Sequence, residues 1–269
     1  MYIEMVTVCH NYSDFLEETL PHNMESVDRM VVVTHPDDKK TISLCQKFSV
    51  DCVQTVAMHE DGDKFNKGRA INMGLGHMRG VDWILHLDAD CLLPHNFKNM
   101  LHRAKLNPKN IYGADRVNVM GSEIWDDHKH KLTPHYSSGY FVQPPKEFPI
   151  GARIIHHEIG YTPIGYFQLW NKAMGKKYPI HQGNAEHTDV LFAAYWPREN
   201  RILLPEVIVC HLESHTDPQP MAANWNGRIT PHFRHKKHHH KPHHGHCGCG
   251  YHHHHKHCHH HKHSVLENV

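Results

Sequence analysis

Apolar and polar positions in the first hundred residues alternate between two periods. Short, nearly continuous apolar runs predict buried strands at Met5–Cys9, Met30–Thr34, Val50–Val56 and Trp83–Leu87. Between these runs, helical spacing predicts helices over 13–20 (ended by Pro21), 36–48 and 65–78. Strands and helices in this alternation predict a Rossmann-like α/β fold with a mostly parallel sheet that is covered on both faces.

The pattern becomes irregular after about residue 110. Strands are predicted at 111–120, 138–143 and 201–210, with an aromatic segment at 165–171 and a helix over 188–196. We therefore expect a nucleotide-binding half joined to an acceptor-binding half within one domain, residues 1–231. Ligands of parallel sheets bind beyond the carboxyl ends of the strands, so the residues just after each strand are candidates for the site.

Composition changes this picture only at the C-terminus. Of the 34 histidines, 17 lie in residues 232–269, together with six Lys or Arg residues and one acid, Glu267. The preceding 231 residues carry 23 basic and 27 acidic side chains. Residues 232–269 contain almost no aliphatic side chains and cannot form a core, so we predict a disordered tail there.

The tail has a chemistry of its own. Its histidine runs and cysteines are ligands that suit Zn²⁺, Ni²⁺ or Cu²⁺: His238–His240, His252–His255, His259–His261, Cys247, Cys249 and Cys258. The same lysine and histidine mixture could attract nucleic acid. A low-complexity tail that binds metal only incidentally is the alternative.

The sequence also predicts where the protein acts. No apolar run is long enough to span a membrane, and the segment Met1–His10 resembles a first strand more than a signal peptide. The other five cysteines are scattered among apolar residues without a disulfide framework. These features favour a cytoplasmic protein with reduced thiols, and they leave its oligomeric state open.

Two carboxylates follow the predicted strand Trp83–Leu87. Asp88 and Asp90 stand two residues apart in extended chain, so both side chains point the same way at the carboxyl edge of the sheet. Buried carboxylates are costly without a cation, and oxygen ligands suit Mg²⁺ or Mn²⁺. A pair of solvated aspartates capping the next helix is the alternative.

Two further segments add to this candidate site. His211 ends the predicted strand 201–210 and could complete a Mn²⁺ site from another part of the fold. The segment 65–75, with Lys67, Gly68 and Arg69 at a helix start, offers a cation and free N–H groups to an anion. An ordinary surface helix is the alternative, and the order of residues is not that of a Walker A loop.

The combination of motifs resembles the family-2-like glycosyltransferases of the GT-A fold. The resemblance rests on Asp37-Asp38 after the second strand, Asn66-Lys67-Gly68 with Asn72-x-Gly74, and Asp88-Ala89-Asp90 with Pro94. It continues through the segments 165–170 and 186–192, His211-Leu212 and 224–228, and so covers about residues 3–230. One departure is His35-Pro36, where many members carry an Asp-Asp-Gly-Ser turn.

The resemblance implies roles for individual residues. Asp88 would approach the ribose and the metal, while Asp90 and His211 would bind the metal. Donor contacts would come from Asp37 or Asp38 at the nucleobase or ribose, from Lys67 and Arg228 at the phosphates, and from Asn66. The catalytic base would be Asp189, which stands in an Asp-x-x-Phe frame, or else Glu186.

These expectations together predict an enzyme that moves a sugar from a nucleotide-diphosphate sugar to an acceptor hydroxyl, with Mn²⁺ or Mg²⁺ and with inversion. The acceptor could be a glycan, a protein, a small molecule or a modified nucleic acid. One alternative is a nucleotidyltransferase on a similar sheet, although residues 9–14 contain no glycine-rich phosphate loop. The other is a metal-handling or nucleic-acid-binding protein that acts through its histidine-rich tail.

Overall fold

A computed structural model describes residues 1–80, 82–129, 155–156, 160–180, 185, 187–214 and 232–234. The chain divides into two units, Met1–His235 and Lys236–Val269, and every described residue belongs to the first. The strands are β1 (Ile3–Val8), β2 (Arg29–Thr34), β3 (Asp51–Gln54), β4 (Trp83–Leu87), β5 (Cys91–Leu92), β6 (Ile111–Met120), β7 (Ile155–His156), β8 (Gly160–Tyr161), β9 (Phe167–Asn171) and β10 (Arg201–Glu213). The α-helices are α1 (Ser13–Ser26), α2 (Lys39–Phe48), α3 (Lys67–Leu75), α4 (Phe97–Ala104), α5 (Ser122–His128) and α6 (Thr188–Ala193), with 3₁₀ turns at Ala57–Gly62, Lys172–Met174 and Arg198–Asn200.

Within the described residues the central sheet has eight strands, in the order β3-β2-β1-β4-β9-β6-β10-β5. Strands β1 to β4 pair in parallel, as do β6 and β10, whereas β9 and β5 run in the opposite direction. The predicted α/β fold with a mostly parallel sheet is therefore confirmed. The predicted strand at 138–143 lies outside the described residues.

Helices cover both faces of this sheet. Alternate residues of β1 face opposite sides, so Met5 joins one apolar core with α1 and α4, and Val6 joins the other with α3 and α6. Because both faces are buried, the strands need the near-continuous apolar runs seen in the sequence.

Helix α1 differs from its prediction, because it continues through Pro21 to Ser26 instead of ending there. Proline removes one helical hydrogen bond, but tertiary bonds hold the following turn. The Asn23 amide donates to the Cys91 carbonyl at 2.7 Å and accepts from the Leu93 N–H at 2.9 Å, while a ring nitrogen of His22 lies 2.7 Å from the Leu93 carbonyl.

The segment 232–234 returns to the start of the chain. The Phe233 side chain is 1% exposed, and its ring centroid lies 4.9 Å from that of Phe15 in α1. Arg234 binds both Glu18 of α1 and Asp126 of α5. Phe233 and Arg234 thus pack on the body although they follow the domain boundary predicted at residue 231.

Two further observations concern membrane-spanning helices and cysteines. No helix in the described ranges is long and apolar enough to cross a membrane. Cysteines 9, 45, 52, 91 and 210 are free thiols.

Candidate active site at the carboxyl edge of the sheet

The turn Asp88–Asp90 is fixed by two other strands. The Asp88 N–H donates to the Tyr166 carbonyl at 3.2 Å, just before β9, and the Asp90 carbonyl accepts from the Leu212 N–H of β10 at 2.8 Å. The two aspartates that follow β4 therefore lie at the edge of the sheet where β9 begins and β10 ends. This is the edge at which the sequence places the ligand site.

Asp90 and His211 are brought together as predicted. A carboxylate oxygen of Asp90 lies 3.5 Å from His211 Nε2, and a Glu213 oxygen lies 2.9 Å from His211 Nδ1. Burial alone would lower the pKa of His211, but the two carboxylates outweigh it and raise that pKa to about 9. An imidazolium between two carboxylates occupies the place that a cation could take.

The donor set suits a hard divalent ion. Among the described residues, Asp90, Cys91 and His211 form a group whose ligand atoms lie within 4.8 Å of one another. Burial raises the pKa of the Cys91 thiol well above its ordinary value, so this sulfur stays protonated and is a poor ligand. The remaining ligands are the Asp90 carboxylate and the His211 imidazole, which would lose its proton when it binds a metal. Mn²⁺ accepts this pair of ligands.

Asp88 is bound by Lys67 rather than grouped with Asp90 and His211. Lys67 Nζ lies 2.5 Å from Asp88 Oδ1 and donates at 3.4 Å to the Gly165 carbonyl. Burial alone would lower the pKa of Lys67, but Asp88, followed by Asp189 and Asp90, raises it, so the ammonium keeps its proton.

His86 is a member of this site that the sequence reasoning missed. It is fully buried in β4, with Nε2 3.6 Å from Asp88 Oδ1, and neither ring nitrogen has a hydrogen-bond partner in the described structure. Burial and then the Lys67 charge lower its pKa, which keeps the ring neutral. A histidine within the apolar run Trp83–Leu87 was the available signal.

The predicted base Asp189 lies close enough to Lys67 to raise the pKa of that ammonium. Its Oδ2 accepts from the Gly165 N–H at 2.5 Å, and its Oδ1 accepts from the Val190 N–H at 2.8 Å. A Cβ at position 165 would lie 3.0 Å from Asp189 Cβ and Oδ2, so a larger residue there would push the Asp189 side chain away by a few tenths of an ångström. Gly165 thereby contacts both the Lys67 ammonium and the Asp189 carboxylate.

Glycine at position 68 holds the starts of α3 and α6 together. A Cβ there would lie 2.5 Å from the Pro179 carbonyl oxygen and 3.1 Å from Thr188 Cγ2. This close contact sets the distance between Lys67, at the start of α3, and Asp189, at the start of α6.

Asp38, Asn66 and Asp37 have different surroundings. Asp38 is buried as the N-cap of α2, where it accepts from Thr41 N, Thr41 Oγ1 and Asn11 N at 2.7–3.1 Å. Asn66 is also buried, caps α3 by accepting from the Arg69 N–H at 3.0 Å, and donates to Asp63 at 2.7 Å. The Asp37 side chain is 88% exposed.

Three histidines follow the first three strands and meet at the same edge. The ring centroids of His10, His35 and His59 lie 5.1–5.5 Å apart, and a His10 nitrogen lies 3.2 Å from one of His59. Burial, then the two neighbouring histidines, lower the pKa of His10 to about 4. The sequence reasoning placed these segments at the ligand edge and gave the imidazoles no role.

Other predicted site residues lie outside the described residues. These are Glu186, Arg228 and the proposed metal-binding histidines and cysteines of the tail.

The sequence matches the model of the family Glycosyl transferase family 2 over residues 5–168. No curated protein matches the chain.

Solved structures are similar at low identity. One is glucosyl-3-phosphoglycerate synthase from Mycobacterium tuberculosis in complex with Mn²⁺, UDP and glucosyl-3-phosphoglycerate, at 13% identity and a TM-score of 0.45 over 78% of this chain and 70% of that one. Its complex with Mn²⁺, UDP-glucose and phosphoglyceric acid is 12% identical, with a TM-score of 0.45 over 75% of this chain and 68% of that one. Mannosyl-3-phosphoglycerate synthase from Rubrobacter xylanophilus is 20% identical, with a TM-score of 0.34 over 43% of this chain and 41% of that one.

Proposed function

The chain belongs to Glycosyl transferase family 2, and from this we propose that it transfers a sugar from a nucleotide-diphosphate sugar to an acceptor hydroxyl, with inversion and with Mn²⁺ or Mg²⁺. The observation that carries the proposal is the convergence of Asp88, Asp90, His211, Lys67 and Asp189 at one edge of the sheet. Those groups supply the cation binding, the phosphate neutralisation and the base that single-displacement transfer needs.

Asp90 and His211 would hold the divalent ion, with Asp88 beside them. When bound, the ion would act as a Lewis acid on the diphosphate leaving group. Loss of the His211 proton would accompany metal binding, because imidazole binds metals only in its neutral form.

Lys67 would neutralise charge that grows on the leaving diphosphate. Its ammonium is held by Asp88 and the Gly165 carbonyl, so it needs little reorganisation during the reaction. The side chain is also largely buried, which strengthens its attraction to phosphate oxygens.

Asp189 would accept the proton of the attacking hydroxyl. Two backbone N–H groups fix its orientation at the start of α6. A carboxylate held in place at the acceptor is what general-base catalysis requires. Glu186 stays the alternative base.

The proposal is tested by measuring thermal unfolding of the full chain with UDP, GDP, ADP and CDP, each with and without MnCl₂ or MgCl₂. One nucleotide should raise the melting temperature more with metal than without, because a ligand at 100 times its Kd stabilises by about 2.7 kcal/mol. The MgCl₂ arm matters because histidine and cysteine side chains of the tail are poor ligands for Mg²⁺. If no nucleoside diphosphate stabilises the protein under either metal, the proposed function is wrong.

A further inference from the structure

Arg116 and Asn118 lie on β6, next to the strand that carries His211. In the parallel pair of β6 and β10, Arg116 is in register with Val209, and Asn118 is in register with His211. Paired residues of neighbouring strands project to the same side of a sheet. Both side chains therefore share a face with His211, and neither has a role in the site described above.

Arg116 is a cation that no carboxylate of the described residues pairs with. In the described part of the chain its guanidinium makes no ion pair, and its Nε is buried without a hydrogen-bond partner. Arg29, Arg69 and Arg234 each pair with at least two acidic side chains. A partly desolvated charge is costly when it stays unpaired, so the fold keeps Arg116 at a cost that a bound anion would offset.

The position of Arg116 is fixed beside the Asp-x-Asp turn. Its guanidinium lies over the Tyr166 ring, 4.8 Å from the centroid. The Tyr166 carbonyl accepts from the Asp88 N–H, and its hydroxyl donates to the Ala114 carbonyl.

Asn118 adds a second unsatisfied group. Its Oδ1 is buried and accepts no hydrogen bond in the described structure. An amide oxygen accepts from O–H or N–H donors, and a buried acceptor without one is rare in folded proteins. A hydroxyl group next to an anion would satisfy both Asn118 and Arg116.

The place of Arg116 in the sheet assigns the anion to the acceptor. Lys67 comes from α3, which packs on β1 and β2, whereas β6 lies on the far side of β4, beyond β9. The leaving diphosphate would already face two cations, Lys67 and the divalent ion held by Asp90 and His211. Arg116 is therefore a third cation that a different anion can use. Arg116 thus lies towards the second half of the chain, where the acceptor is expected.

We propose that Arg116 and Asn118 bind the acceptor, and that this acceptor is a small hydroxylated molecule with a phosphate or carboxylate group. The inference rests on the proposed glycosyl transfer and narrows its acceptor. Guanidinium pairs with either anion through two parallel hydrogen bonds, and it does so better than a lysine ammonium.

The experiment measures binding to the full chain by calorimetry, with the best nucleoside diphosphate and metal already bound. The probes are glycerol 3-phosphate, glycerate and uncharged glycerol. The wild-type protein should bind a charged probe and not glycerol. Arg116→Met should weaken that binding by about tenfold or more, the usual effect of losing a hydrogen bond to a charged group. Arg116→Lys should weaken binding of the charged probe less than Arg116→Met does.

A matched control is Arg103→Met, since Arg103 is an exposed arginine paired with Glu206 of β10. This variant should bind every probe as the wild type does. The unliganded Arg116→Met protein should melt no lower than the wild type, because the substitution removes an unpaired charge. A lower melting temperature would instead assign Arg116 a structural role and overturn the proposal.

Nucleotide binding distinguishes a failure of the acceptor proposal from a failure of the proposed glycosyl transfer. If Arg116→Met weakened binding of the nucleoside diphosphate as much as binding of the charged probe, Arg116 would belong to the donor site. Equal binding of charged and neutral probes by the wild type would also overturn the proposal. Failure of every nucleotide to bind would instead refute the glycosyl transfer.

Discussion

Buried polar groups differ between the two sides of the sheet's carboxyl edge. On the β1–β3 side, Asp38 and Asn66 have partners at every carboxylate or amide group, and His10 bonds to His59. Arg69 Nε is buried there without a hydrogen bond, but its guanidinium binds Glu60 and Asp61. Around β4 and β6, His86, Arg116 and Asn118 hold buried polar atoms without partners in the described structure. A satisfied group stabilises the loop that it caps, whereas an unsatisfied one costs stability and marks a place for a ligand. The comparison separates residues that hold the site from residues that use it.

The largest effect is expected at Asp90. Asp90→Ala should lower turnover by about 10³-fold or more and remove the metal-dependent part of nucleotide binding, because Lewis-acid catalysis contributes several kcal/mol. Rates and nucleotide affinities with and without MnCl₂ measure this. Glu206→Ala, at an exposed carboxylate of β10, is the control. Wild-type Mn²⁺-dependent turnover in Asp90→Ala would exclude Asp90 as a ligand.

The next effect is expected at Asp189. Asp189→Asn keeps an acceptor oxygen for the Gly165 N–H but loses the negative charge, so turnover should fall by about 10²-fold with donor affinity nearly unchanged. Steady-state kinetics on both substrates test this. Glu186→Gln should lower turnover less than Asp189→Asn does. If it lowered turnover more, Glu186 would be the base.

A smaller effect, on stability, is expected on the β1–β3 side. Asp38→Ala removes the cap of α2 and leaves buried donors unpaired, which should lower the free energy of unfolding by about 2 kcal/mol. Urea titration measures this. The exposed Asp37→Ala should stay within about 0.5 kcal/mol. If Asp38→Ala lost nucleotide affinity with unchanged stability, Asp38 would be a ligand contact and the comparison would fail.

The smallest effect concerns His10. Its pKa of about 4 lies below the ordinary 6.5, so the unfolded chain binds more protons between these values and stability should fall as the pH drops from 6.5 towards 4. His35 and His59 face this ring, with Asp37 and Asp38 nearby. His10→Gln should reduce the slope by at most about 1.4 kcal/mol per pH unit. The exposed His77→Gln is the control, and an unchanged slope in His10→Gln would contradict the assignment.

Elements whose pattern is local were predictable from the sequence. Strand β6 has the predicted limits 111–120, and β4 has the predicted limits 83–87. The helix predicted over 65–78 is shorter, Lys67–Leu75, because Asn66 caps its start. Helix α1 passes Pro21 because residues 91–93, far away in sequence, bond to its last turns. Periodicity carries no information about such bonds.

The candidate site was predictable to the extent that strand ends meet at one edge. This reasoning brought Asp90 and His211 together. The basic helix start pointed to Lys67, and the family resemblance singled out Asp189. It did not distinguish Asp38 as a cap from Asp38 as a ligand, since the same carboxylate serves either role. Arg116 was missed because an arginine within a strand is informative only once its lack of a partner is known.

The return of residues 232–234 to α1 has a consequence for the order of folding. The Phe233 N–H donates to Asp14, a contact across 219 residues, and the Phe233 ring covers Phe15. During synthesis the N-terminal strands and helices emerge first, yet α1 keeps one face of Phe15 uncovered until residue 233 has left the ribosome. Contacts this distant in sequence form late and slow folding. The nascent protein therefore carries an incomplete core until residues 232–234 have left the ribosome.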